Sequence, residues 1–480
     1  MPTTSSVGLR SERGPILLSL MLATALVALD ATIIATASAT IATSLGAFEQ
    51  VPWLFTSYLL AQALSTPLAG RLSDILGRKR LILAGIGLFL AGSILCGAAW
   101  SMTAMIAGRV LQGLGAGAVM PVSQTIAADI YTLEERAKTQ GYLASVWAIS
   151  SVLGPTLGGV FSEFLGWRWI FWVNLPLCLV AGWMIVRRYH ESPRTGPREP
   201  IDYLGAVLLS GGSVLLLLGL LEGGTTWAWT STPSLAVLGS AVVLAALFVL
   251  HALRAEHPVL DLRLLRGRLV GVATAVSLVV GMIVLGLSSY VPIYAQGVLG
   301  YGPLLAGFAL AAMTVGWPIA ASNSGHLYLR IGFRLTAMIG SVLVLVGTGL
   351  MLLLGATTPL VAVAATTFVV GLGMGLTAVP PLIAAQSAAT HGTRGAVTGM
   401  NAFARSLGSA VGVAVCGVIV NASTTTGADG APTGSGLMSA MHLVFWFVVG
   451  AAAVLAVLAA LLPVDRQAAR DRRAAQSTAA

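Results

Sequence analysis

The segment GRLSDILGRKR, Gly70 to Arg80, sets five charged residues, Arg71, Asp74, Arg78, Lys79 and Arg80, between two long uncharged runs. The chain around it has 480 residues, of which 56% are hydrophobic and 9% charged, and a mean hydropathy of +0.89. A soluble domain has no interior large enough for so much apolar side chain. Apolar runs of about 20 residues, the length a helix needs to cross a bilayer, recur along the whole sequence between short polar breaks. Fourteen such runs are read, the first at 14 to 43, the second at 51 to 69 and the last at 437 to 463. They are continuous rather than alternating, which excludes barrel strands. The expected class is all-α integral membrane, with about fourteen spans. Arg10 and Arg13 before the first run imitate a secretory signal, but its apolar stretch is too long for one and more spans follow, so it is read as an uncleaved helix.

With both termini on the cytoplasmic side, 23 of the 26 basic residues fall in inner segments, which satisfies the positive-inside rule and supports an even number of spans. The net charge of +9 then reads as topology and contact with anionic lipid, and no nucleic-acid partner is expected. High Ala and Gly usage suggests a GC-rich bacterial genome, hence a bacterial cytoplasmic membrane. Cys96, Cys178 and Cys416 lie within apolar runs, as small buried hydrophobes rather than a disulfide framework. The six histidines lack close metal-ligand spacing, and no metal is expected. Neither Lys79 nor Lys138, the two lysines of the chain, sits in a phosphate-binding G-x-x-x-x-G-K-[ST] loop, which removes ATP as a locally hydrolysed energy source. No nucleophile motif such as G-x-S-x-G appears, so the chain is not read as an enzyme.

A weaker copy of the opening segment occurs in GHLYLRIGFR, Gly325 to Arg334. Gly70 and Gly77 match Gly325 and Gly332, whereas Asp74 is replaced by Leu329. The first copy lies between spans two and three and the second between spans ten and eleven. An offset of eight spans is what two six-helix halves produce when two helices are inserted between them, and paired halves of this kind place a substrate site between them near the bilayer midplane. The expected organisation is an N-terminal six-helix bundle over 1–190, a linker with two additional helices and a basic loop over 191–268, a C-terminal six-helix bundle over 269–463, and a cytoplasmic basic tail over 464–480. The segment His257 to Arg268 is expected to lie along the membrane surface.

Particular residues then stand out. Asp30 falls in the middle of the first span, where ionisable groups mark ion or substrate paths. Helical spacing puts Arg109, Gln112, Gly113 and Ala116 on one face of the fourth span. Asp30 and Arg109 therefore read either as a proton-loading site or as a static pair that holds helices together. In the opening segment Asp74 can face helix N-termini, and Arg78 can meet an acid such as Asp129 or Glu134. Gly70, Asp74, Gly77, Arg78, Lys79 and Asp129 form a candidate conformational latch, the alternative being charge that serves orientation alone. Gly154, Pro155, Gly158 and Gly159 lie on one helix, where small residues permit close packing and Pro155 permits a bend. Gln112, Trp147, Tyr290, Tyr294, Trp317, Asn401 and Arg405 are candidate cavity residues, for each of which ordinary packing is the competing reading. No acid occurs between Asp261 and Asp429, so neutral, zwitterionic or anionic amphiphiles are expected to be favoured over dications.

These segments, in this order, resemble the major facilitator superfamily, and within it the fourteen-span drug:proton antiporters that act as multidrug exporters. GRLSDILGRKR is similar to the superfamily's loop signature, and LDATIIATASATI, Leu29 to Ile41, to the first-helix signature of the fourteen-span branch. RVLQGLGAGA, Arg109 to Ala118, resembles its fourth-helix motif, and SSVLGPTLGG, Ser150 to Gly159, the antiporter motif of helix five. WRWIFWVNLP, Trp167 to Pro176, and GMNAFARSLGSAVGVAV, Gly399 to Val415, are also similar to that branch. The resemblance implies proton coupling through Asp30 and Arg109, and an antiporter role for Gly154, Pro155, Gly158 and Gly159. It implies export of amphiphilic small molecules from the cytoplasm or inner leaflet, driven by the proton motive force with no cofactor. The partners would be substrate, protons and the lipid bilayer, and the protein would be a monomer. A dedicated exporter of one metabolite, such as a self-made antibiotic, amino acid or lipid, would share every one of these motifs.

Overall fold

The computed structural model describes residues 8–45, 50–191, 200–223, 227–390, 392–423 and 435–464; the basic tail expected beyond 464 lies outside them. Among the described residues there are helices and no sheet: α1 (Gly14–Leu45), α2 (Val51–Leu76), α3 (Arg78–Gly97), α4 (Met102–Ile130), α5 (Leu133–Val160), α6 (Trp169–Trp172), α7 (Asn174–Arg188), α8 (Tyr203–Glu222), α9 (Thr232–Arg254), α10 (Arg268–Gly297), α11 (Pro303–Ile331), α12 (Phe333–Met351), α13 (Leu360–Ala388), α14 (Arg394–Ser423) and α15 (Ser435–Leu461). Counting α6 and α7 as one crossing, thirteen are long and apolar enough to span a membrane. Helix α2, which carries Gln62, Arg71 and Asp74, is the more polar fourteenth. The protein is a multi-pass membrane protein. Large apolar side chains on the outer faces, such as Val207 at 68% and Val242 at 64% exposure, make sense only against lipid.

Local signals set the helix limits. Ser101 caps α4 by accepting from the Ala104 amide, and Thr132 with Glu135 forms a capping box at the start of α5. Helix α2 runs two turns past the apolar run that ends at residue 69, because Arg71, Ser73 and Asp74 lower the hydropathy without breaking a helix. The break comes at Gly77, whose φ of 101° suits glycine, and α3 begins at Arg78. Gly332 has a φ of 87° between α11 and α12, so the two copies of the repeated segment turn in the same way.

Two hydrophobic clusters hold the N-terminal bundle of α1–α7, and one large cluster, from Val276 to Leu455, holds the C-terminal bundle of α10–α15. The added pair α8–α9 packs against the seam between them, where Leu217 of α8 meets Leu60 and Ala63 of α2 and Ala410 of α14. Asp202 ties this pair down by accepting from the Gly205 and Val259 amides and pairing with His251. Burial pushes the Asp202 carboxyl up, but these partners together outweigh it and hold it below the usual carboxylate range. The segment after α9, expected along the membrane surface, is anchored inward near its start and exposed at Arg263, Arg266 and Arg268. Val259 and Leu260 are buried in a cluster with Phe248, Val270 and Met400, and only Leu262–Arg266 forms a short 3-10 turn.

Candidate functional site

Three sites follow from this arrangement. The first lies inside the N-terminal bundle, where α1 brings Asp30 against α4. Arg109 Nη1 donates to Asp30 Oδ2 at 2.5 Å, and the Gln112 side-chain amide donates to Asp30 Oδ1 at 3.1 Å. Arg109 also donates to Gln112 Oε1 and to the Leu54 carbonyl, and its guanidinium stacks 4.2 Å from the centre of the Tyr58 ring. Gln112 extends the network by donating to Ser93, which also accepts from Asn174. Asp30, Arg109 and Gln112 are all essentially inaccessible. Gln112, expected as a cavity residue, is therefore a buried partner of Asp30. Carboxylate and guanidinium are thus buried together inside the bundle, each with its hydrogen-bonding partners beside it.

The second site joins the two halves on the face that carries the basic loops. Asp74 accepts from the Gly395 and Ala396 amides at 3.1 and 2.8 Å, capping α14 from the other half. Arg78 bridges Asp74 and Asp129, each at 3.0 Å, and Asp129 in turn pairs with Arg394 at the start of α14. Gly70 lets α2 meet α14 here: a Cβ on it would lie 2.6 Å from the Gly395 carbonyl and 2.8 Å from the Gly399 Cα. Arg136 donating to Ser387, and Tyr328 donating to the Leu133 carbonyl, close the same face on the α5–α11 side. Lys79 does not cross the seam; it donates to the Val186 carbonyl at the end of α7. The acid that Arg78 meets across helices is Asp129, while Glu134 is exposed.

The third is the packing of α5 on α1. Gly154 lies directly against Thr32, whose hydroxyl donates to the Ser150 carbonyl, so α5 touches α1 within a turn of Asp30. Gly158 is buried, Gly159 is exposed with open space beside it, and the side chain of Pro155 lies outside what is described.

The cavity candidates separate. Tyr294 belongs to the core: its hydroxyl donates to the Gly355 carbonyl and its ring meets Phe445 edge-on. Tyr290 sits in the same cluster. Asn401 is buried, accepting from Ser277 and donating to the Val397 carbonyl. Trp147 and Trp317 are half-buried, Trp317 in the cluster that links α5 to α11 and α13. Arg405 is half-buried and has no hydrogen-bond or ion-pair partner among the described residues. Among those residues no three His, Cys, Asp or Glu side chains gather closely enough to hold a metal ion.

Glu191, Arg394 and Tyr58 carry parts of these sites that the motifs do not reveal. Glu191, in the segment after α7, accepts from the Arg78 and Lys79 amides and so caps α3. The only sequence signal for it is an isolated acid after a basic helix end.

The chain matches the family model described as Major Facilitator Superfamily over residues 20–413. It is 33% identical to the multidrug transporter protein MdtP of Bacillus subtilis over 87% of this chain and 77% of that protein. It is 34% identical to multidrug resistance protein 3 of the same organism, over 84% of this chain and 79% of that protein. In fold it resembles the crystal structure of the human organic anion transporter TETRAN, with a TM-score of 0.65 and 17% identity, covering 93% of this chain and 99% of that one.

Proposed function

Because the chain belongs to the Major Facilitator Superfamily, a family of transporters rather than enzymes, we propose that it is a proton-coupled exporter of amphiphilic small molecules. The observation that carries this reading is a carboxylate, Asp30, in the middle of a membrane span, held by Arg109 and Gln112. The multidrug names of the two Bacillus relatives support the substrate class.

In the proposed cycle the basic face is cytoplasmic, both termini lie there, and the arrangement described above is closed on that side. A proton arriving from outside neutralises Asp30 and loosens Arg109. The change passes through α4, which carries Arg109 near one end and Asp129 near the other. Loss of the Asp129 and Asp74 contacts to α14 then opens the cytoplasmic side. Substrate enters from the cytoplasm or inner leaflet as the proton leaves, and the latch re-forms. No cofactor takes part. One charge moving through 100 mV is worth about 2.3 kcal/mol, and about 1.4 kcal/mol is a tenfold ratio, so one proton sustains roughly a fortyfold gradient of a neutral solute.

The test is dye and antibiotic efflux from cells or vesicles, with the proton gradient imposed and then collapsed. Efflux that stops with the gradient supports the reading. Efflux indifferent to the gradient contradicts it, and gradient-driven efflux of a single compound would make this a dedicated exporter.

A further inference from the structure

Arg405 lies eleven residues into α14, about 16 Å along the helix from the basic face, within a membrane span. Its neighbours on either side are committed to α10. Asn401, one turn before, is bonded to Ser277, and Ser409, one turn after, donates to the Gly281 carbonyl. Gly281 itself fits against the Arg405 backbone, where any added Cβ would overlap the Arg405 carbonyl. The helix is thus fixed in place with the arginine on it. Its guanidinium, half-buried, has no partner among the described residues and no charged group acting on it.

An arginine does not shed its proton to escape this situation, and an unpaired cation inside a span is costly unless water or a ligand reaches it. Among the described residues no counter-ion pairs with it. No acid occurs between Asp261 and Asp429, and Asp30 is already occupied by Arg109 and Gln112. A guanidinium presents parallel N–H groups that match the two oxygens of a carboxylate, sulfonate or phosphate. We propose that Arg405 is the oxyanion-recognising group of the substrate site, so that the protein selects amphiphiles bearing one such group over dications. This inference rests on the exporter reading for its transport arm and on geometry alone for its binding arm.

The experiment uses full-length protein in phosphatidylcholine nanodiscs, with a coumarin carboxylate and its ethyl ester as probes and fluorescence anisotropy as readout. The expected result is wild-type preference for the carboxylate, reduced at least tenfold in Arg405→Gln and partly restored in Arg405→Lys, which keeps the charge without the fork. An unchanged preference in Arg405→Gln, equal weakening of both probes, or no wild-type preference overturns the proposal. Repeating the titration with phosphatidylglycerol in the discs separates two sources of oxyanion. Displacement of the carboxylate by that lipid would assign Arg405 to a headgroup and overturn the substrate role. Transport of both probes is then followed in proteoliposomes under a proton gradient. Arg405-dependent binding without transport would sink the exporter reading and leave the site standing, whereas driven transport with no dependence on Arg405 would do the reverse.

Discussion

The two halves of the molecule bring opposite chemistry to their shared seam. At the basic face the N-terminal half contributes the carboxylates Asp74 and Asp129, while Asp30 stays inside its own bundle, paired with Arg109. The C-terminal half answers with Arg394 and the first amides of α14. The same division separates the two copies of the repeated segment. Their backbones turn alike at Gly77 and Gly332, yet Asp74 caps a helix across the seam while its counterpart Leu329 is exposed. At the second copy Tyr328, next to Leu329, crosses the seam by a neutral bond to the Leu133 carbonyl, with Arg136 of α5 donating to Ser387 nearby. The duplicated backbone thus carries a carboxylate cap across the seam at one copy and a tyrosine hydroxyl at the other.

The largest predicted effect removes a partner from the buried pair. Arg109→Ala leaves Asp30 uncompensated and is expected to cost about 3–5 kcal/mol of stability, read by denaturation of the purified protein. Next comes the charged side of the closure. Spin labels on Leu76→Cys and Gly392→Cys, flanking the α2–α14 contact, are expected to report one short distance in the parent and a second, longer population in Asp74→Asn. Gly70→Val is expected to produce the same longer population by overlap with the Gly395 carbonyl rather than by loss of charge. A short distance retained in both variants would remove the latch from the account. Smallest is the neutral side: Tyr328→Phe loses one hydrogen bond, about 0.5–1.5 kcal/mol, and should leave the distance distribution nearly unchanged. An effect as large as that of Asp74→Asn would erase the contrast between the two sides.

The helices were legible because lipid demands long apolar runs, and the repeat survived in its glycines because a positive φ admits few other residues. That Arg109 and Gln112 share a face follows from helical spacing alone. The aromatic cavity candidates were not legible in the same way. A tyrosine in a span reads alike whether its hydroxyl faces a cavity or, as for Tyr294, a carbonyl in the loop after α12. No motif marks Arg394, since its meeting with Asp129 joins residues 265 positions apart. Glu191 reaches α3 only because the segment after α7 returns to it. Such pairings are made by the packing of whole helices and leave no local spacing to read.

The central claim, that Asp30 couples protons to export, is tested most directly by comparing two activities of the same proteoliposomes for whichever dye the wild type exports. One is accumulation driven by a proton gradient; the other is exchange of labelled for unlabelled dye with no gradient. The account predicts that Asp30→Asn keeps the exchange and loses the driven accumulation. Driven accumulation that persists in Asp30→Asn would place the coupling proton elsewhere and contradict the account.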